Sequence, residues 1–178
     1  MPRTYGEVLP SSFATILALG GKTDKVLVDF GSGHGLLVKA AVEQYDCNFA
    51  IGVEKYKEPA AIAAKLFSSS SSDLQAKMRF LLEDMSDTDI PKELQGLQFD
   101  TIILFCNNLA FHDGTVHRSS LVFRQIMDSM SDKTVFVVST RPMKVLEDRA
   151  VQSLALNMSW SKEVHDVHVY QSISSFPV

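Results

Sequence analysis

Short apolar runs rich in β-branched residues alternate along the chain with segments whose apolar residues recur at helical spacing. Val26 to Phe30, Phe49 to Val53, Met78 to Leu82, Phe99 to Phe105 and Thr134 to Ser139 read as strands, because near-continuous apolar runs are what a sheet covered on both faces requires. Between them, Leu36 to Tyr45, Glu58 to Phe67 and Ser119 to Met130 read as helices, with Pro59 suited to a first turn. Right-handed crossovers between parallel strands then place helices on both faces of the sheet. Pro10 to Leu19 predicts a helix ahead of the first strand, closed by the Gly20-Gly21 pair. The serine run Ser68 to Ser72 has no periodicity and predicts a flexible connector. Beyond the fifth strand the pattern changes. Ala150 to Trp160 and Val164 to Ile173, separated by Ser161-Lys162-Glu163, predict a terminal β-hairpin, with a helix over Leu146 to Leu156 as the competing reading. The fold class expected is α/β: a doubly wound, mostly parallel seven-stranded sheet ending in an antiparallel hairpin.

A chain of 178 residues, 46% of them hydrophobic, is expected to form one domain. Its parts would be an N-terminal loop and helix over residues 1–25, a core over 26–143 and the hairpin over 144–178. The net charge of −4 carries no basic excess, so direct sequence-specific nucleic-acid binding is not expected. Nothing in the chain resembles a signal peptide or a membrane span, which predicts a soluble intracellular protein, nuclear or cytoplasmic. Cys47 and Cys106 lack paired ligand spacing and read as reduced and structural. His112, Asp113 and His117 match no common metal pattern, and no metal is expected. His34 reads as facing solvent, and His165 and His168 as polar strand residues, rather than as bases.

The chemistry begins after the first strand, where Asp29-Phe30-Gly31-Ser32-Gly33-His34-Gly35 leads into a helix. Bare glycine backbone lets a ligand approach closely there. A dinucleotide fingerprint would need glycines at positions matching 31, 33 and 36, but the third glycine is 35 and position 36 is leucine. A phosphate-binding loop would end in lysine and a hydroxyl residue, which are also missing. Asp29 would repel pyrophosphate yet could hold an ammonium through charge-assisted hydrogen bonds. S-adenosylmethionine has that ammonium and no phosphate. Glu54 at the end of the second strand could accept from both ribose hydroxyls, and Asp84 at the end of the third could accept from the adenine amino group. Asp84 also belongs to an acidic cluster with Glu83, Asp87 and Asp89, for which a solvated loop is the competing reading.

The fourth strand ends in Asn107-Asn108-Leu109-Ala110-Phe111, where a loop would overhang the cleft. Together with Tyr5-Gly6-Glu7, the glycine loop and Gly52-Val53-Glu54, this segment resembles the disruptor-of-telomeric-silencing family of histone lysine methyltransferases, the class I, non-SET enzymes. Ser139-Thr140-Arg141-Pro142-Met143 resembles that family's Ser-Ser-Lys-Pro-Phe segment, and Ser159-Trp160 resembles its Ser-Trp turn, so the likeness covers nearly the whole chain. The resemblance implies that Tyr5 and Glu7 close over the cofactor. It implies that Asp29, Gly31, Ser32, Gly33, Gly35, Glu54, Asp84, Met85 and Asn107 line the cofactor site, and that Asn107 and Phe111 act at the lysine. The chain reads as a compact, divergent member. Val8, Leu36, Met85 and Leu109 stand where the family has polar or aromatic residues, and Val167 and His168 align with paired tyrosines.

The activity so implied is S-adenosylmethionine-dependent methylation of a protein lysine, with a histone or nucleosome as partner and S-adenosylhomocysteine as product. A non-histone protein or small amine as acceptor, and a noncatalytic cofactor-binding domain, are the alternatives, because fold alone does not choose among them.

Overall fold

The computed structural model describes residues 8–159 and 161–172. Its strands are β1 (Lys25–Phe30), β2 (Phe49–Val53), β3 (Met78–Leu81), β4 (Thr101–Cys106), β5 (Thr134–Ser139), β6 (Ala150–Asn157) and β7 (Val164–Gln171). They form one seven-stranded sheet in the order β3-β2-β1-β4-β5-β7-β6. The first five strands pair in parallel, whereas β7 runs antiparallel to both β5 and β6. The expected fold class is therefore the observed one. The strand order reverses at β1, between β2 and β4, and a crevice opens at such a point beyond the strands' carboxyl ends.

The helices are α1 (Phe13–Leu17), α2 (Leu36–Gln44), α3 (Lys57–Ser68), α4 (Ser72–Gln75), α5 (Ile90–Glu93) and α6 (Asp113–Ser129). Alternation along the strands divides the core into two clusters. Leu27 and Ile103 join residues of α1 and α2 in one cluster, while Val28, Ile102 and Leu104 join residues of α5 and α6 in the other. Phe30 and Phe123, both fully buried, stack tilted with ring centroids 5.0 Å apart and tie β1 to α6. Lys25 sends its ammonium back to the Leu17 carbonyl at 2.7 Å, satisfying a group at the carboxyl end of α1. Among the described residues, no helix is long and apolar enough to cross a membrane.

Several expectations need correction. The serine run is not a flexible connector, because every hydroxyl from Ser68 to Ser71 engages the backbone. Ser68 donates to Ala64, Ser69 and Ser70 donate to Leu66, and Ser71 accepts from the Leu74 amide to cap α4. Short hydroxyl side chains compete well for backbone groups at helix ends, which composition alone does not convey. The helix expected over Ser119 to Met130 starts earlier, at Asp113. Its first turns are polar and hide the periodicity, although Val116 is buried. The helix expected over Pro10 to Leu19 is a 3-10 turn at Pro10–Ser12 followed by α1, and Gly20 and Gly21 both take positive φ beyond it. Strand β3 stops at Leu81, so Asp84 lies beyond the strand in a turn. Of the two readings for the carboxyl-terminal segment, the hairpin stands, preceded by a 3-10 stretch at Lys144–Arg149.

Candidate functional site

The carboxyl ends of β1, β2 and β4 meet at the crevice. Asp29 is the second-last residue of β1, flanked in register by Gly52 of β2 and Phe105 of β4, and only 5% exposed. After Phe30 the chain turns on Gly31, Gly33 and Gly35, with φ of 86°, 54° and 80°. Residues with a Cβ adopt that region at a cost of about 1–2 kcal/mol, so the sequence folds this way because it has glycines there. The loop folds back on β2: the amides of Gly31 and Ser32 both donate to the Val53 carbonyl, at 2.8 and 3.1 Å.

Glu54 is the keystone of this loop. It is 5% exposed, and its two carboxylate oxygens accept from the Gly33 amide at 3.1 Å and the Tyr56 amide at 2.9 Å. A Cβ on Gly31 would meet nothing within 4 Å among the described residues, whereas one on Gly35 or Gly52 would collide with Phe80. The three positions thus divide by role: Gly35 and Gly52 are bare for packing, and Gly31 is bare where the crevice is open. Ser32 is buried with its hydroxyl lodged against Gly52, and that oxygen has no partner among the described residues.

Asp84 forms a turn of its own. One oxygen accepts from the Ser86 amide and hydroxyl, at 3.1 and 2.8 Å, and the other lies 3.7 Å from the Lys55 ammonium. The Ser86 amide chiefly, helped by its hydroxyl and by Lys55, holds this carboxyl below its usual range against a partial desolvation. Met85 is half-buried over the α6 side of the core, its sulfur 3.0 Å from the Ser119 hydroxyl. A cavity of about 370 Å³ between α3 and β3 is lined by Ser32, Glu54, Lys57, Phe80 and Leu82 among others, but by none of Asp29, Asp84 or Asn107.

The asparagine pair closes the other side. Asn107 follows β4 and is half-buried, while Asn108 is fully buried. Asn108 Oδ1 accepts from the Arg141 amide at 2.7 Å and from the Thr140 hydroxyl at 2.9 Å, and that hydroxyl lies 3.2 Å from Asn107 Oδ1. The Arg141 guanidinium donates to the Phe111 carbonyl and pairs with Asp113, holding that carboxyl below its usual range. Phe111 packs against the α6-side core, and Leu109 is 46% exposed. Val167 is buried on β7, and His168 beside it pairs in register with Ser139.

Of the residues expected at the site, Asp29, Gly31, Ser32, Gly33, Gly35 and Glu54 gather around one loop, and Asn107 and Phe111 stand on the loop after β4. Asp84 and Met85 lie next to Lys55 and α6. Tyr5 and Glu7, together with Trp160, fall outside the described residues. Thr140 and Arg141 stand out in the sequence only as part of a family-like segment, with no role attached, because their contacts with Asn108 span 32 and 33 residues of chain. Among the described residues, no three metal-ligating side chains come together.

The fold recurs among solved structures. An uncharacterized protein from Listeria monocytogenes is 18% identical with a TM-score of 0.64, over 96% of this chain and 70% of that one. The tRNA methyltransferase TrmK of B. subtilis is 15% identical with a TM-score of 0.61, over 93% of this chain and 67% of that one. An RNA methyltransferase from Salinibacter ruber, solved in complex with S-adenosyl-L-homocysteine, is 15% identical with a TM-score of 0.60, over 96% of both chains. At these identities the likeness establishes the class I, Rossmann-like fold alone. A search of curated proteins finds no match. The model of the family described as Histone methylation protein DOT1 matches residues 1–174, and this chain belongs to that family.

Proposed function

We propose that this protein is an S-adenosylmethionine-dependent lysine N-methyltransferase acting on a histone or nucleosome. The observation that carries the reading is the juxtaposition of two structures at the carboxyl ends of neighbouring strands: a glycine loop ordered by the buried Glu54 carboxylate, and an asparagine-pair loop after β4. The residues present suit the cofactor, since an open Gly31 offers close approach while Asp29 and Glu54 are carboxylates suited to an ammonium and to hydroxyls. S-adenosylmethionine, when bound, supplies an electrophilic methyl on a sulfonium.

The chain's own residues have the remaining work. A lysine must be neutral to accept a methyl, and with an ordinary pKa of about 10.4 its deprotonation costs roughly 4–5 kcal/mol at pH 7. Apolar surroundings lower that cost by disfavouring the ammonium. Phe111, packed on the α6-side core beside the asparagine pair, would supply part of them. Asn107 would orient the reacting groups without a covalent enzyme intermediate. No strong base is required if water carries the proton away.

The net charge of −4 favours a second reading, a non-histone protein or small amine as acceptor, because a nucleosome's phosphates repel an acidic surface unless a partner docks it. Labelled-methyl transfer to nucleosomes, free histones and whole-cell protein extract separates the two. Label on a histone lysine, lost in Asn107→Ala, is the expected result. Label confined to other acceptors would move the assignment to the second reading. A folded protein that labels nothing would refute both and leave a noncatalytic domain.

A further inference from the structure

We infer that Thr140 and Asn108 are positioning residues for Asn107, an inference that rests on the reading of Asn107 as the group at the reacting centre. The loop after β4 leaves the sheet with short turns of its own backbone, and contacts from elsewhere complete its geometry. Those contacts come from the end of β5. The Arg141 amide is a donor with one direction, and Asn108 Oδ1 receives it at 2.7 Å inside a fully buried environment, which settles how the Asn108 amide is oriented. The same oxygen receives the Thr140 hydroxyl at 2.9 Å, and the hydroxyl reaches Asn107 Oδ1 at 3.2 Å.

The Arg141 backbone amide therefore fixes Asn108, and the Thr140 hydroxyl sits between the two asparagines with its single hydrogen shared between Asn108 Oδ1 and Asn107 Oδ1. Farther along the loop, Arg141 turns its guanidinium onto the Phe111 carbonyl and Asp113, so one residue of the β5 end grips both ends of the loop. Retention of Asn108 has a cost: its Nδ2 is buried without a partner among the described residues. A buried donor without a partner is destabilising. An apolar residue would avoid it, but would leave the Arg141 amide without its acceptor.

Thr140→Val and Thr140→Ser test the inference. Valine keeps the β-branched shape and deletes the hydroxyl, while serine keeps the hydroxyl, so rescue by serine separates positioning from packing. Two readouts are taken on protein shown to be folded. One is the order parameter of the Asn107 side-chain amide by ¹⁵N relaxation, without cofactor or acceptor. The other is steady-state methyl transfer with S-adenosylmethionine and the labelled acceptor. Thr140→Val is expected to lower the order parameter of the Asn107 amide and to lower kcat by about tenfold or more with the acceptor KM within about twofold, as loss of orientation does. Thr140→Ser should match the natural protein in both. An unchanged Asn107 amide in Thr140→Val, or full turnover by it, would overturn the inference. If the natural protein transfers no methyl group at all, the proposed function fails on that result, and the relaxation measurement decides the inference alone.

Discussion

Alanine at Gly35 and alanine at Gly31 should damage the protein in opposite ways, and the difference can be worked from the structure. Both glycines take positive φ, 80° and 86°, so each substitution carries about 1–2 kcal/mol of backbone strain. At Gly35 the new methyl would also lie 2.5 Å from Phe80 Cε1 and 2.7 Å from its Cζ. The ring already lies over Gly52 and meets Phe67 edge-on at 6.4 Å, so it can yield only toward the cavity between α3 and β3 that it lines. Overpacking of this kind adds about 1–3 kcal/mol, giving roughly 2–5 kcal/mol in total for Gly35→Ala. At Gly31 the methyl meets nothing within 4 Å among the described residues, and the strain stands alone. Urea unfolding followed by circular dichroism measures the first effect, with m unchanged. Calorimetric titration with S-adenosylhomocysteine measures the second. Gly31→Ala should weaken binding by about tenfold or more, near 1.4 kcal/mol, because its methyl occupies the open side of the loop. Equal destabilisation by the two substitutions would refute the packing argument. Undiminished binding by Gly31→Ala would refute the placement of the ligand.

Three further outcomes follow from buried and turn-forming groups. Burial pushes the Cys47 thiol up to about 11 and the Cys106 thiol higher still, with Asp29 adding to the shift at Cys106. Both should resist thiol reagents at pH 8 until the protein unfolds. Because the unfolded thiols lose their protons first, above roughly pH 8.5, stability should fall as pH rises from about 9 towards 11, by about 1 kcal/mol per pH unit per thiol. A denaturation series in that range should lose part of its slope in Cys47→Ala. The Tyr170 hydroxyl accepts from the Met143 amide at 2.7 Å in the core, so Tyr170→Phe should cost about 1–3 kcal/mol in urea unfolding by orphaning that donor. Asp84→Asn should leave stability nearly unchanged, since its turn is at the surface, while lowering S-adenosylhomocysteine affinity several-fold by calorimetry.

How much of this was legible in the sequence depends on the range of the interaction involved. The parallel strands were readable because burial on both faces leaves unbroken apolar runs, and Phe49–Val53 and Thr134–Ser139 match their predicted bounds. The glycine loop was readable because strand, glycines and helix are contiguous. Helix α5 passed unnoticed although Asp89 caps it and Pro91 follows, since a single turn leaves no periodicity. The acidic cluster around Asp84 turned out to hold a turn stabilised by Ser86 and by Lys55, a residue from another strand end. The contacts of Asn108 with Thr140 and Arg141 depend on β4 and β5 being neighbours in a particular register, which no local pattern encodes.

The central claim is a cofactor site built on Asp29, Glu54 and the glycine loop between them. Its most direct test is calorimetric titration of the natural protein, Asp29→Asn and Glu54→Gln with S-adenosylmethionine and S-adenosylhomocysteine, each shown to be folded beforehand. Both compounds should bind the natural protein, and each substitution should weaken them by about tenfold to a hundredfold, the range of a lost charge-assisted hydrogen bond. Absence of binding by the folded natural protein, or affinities indifferent to both carboxylates, would contradict the account.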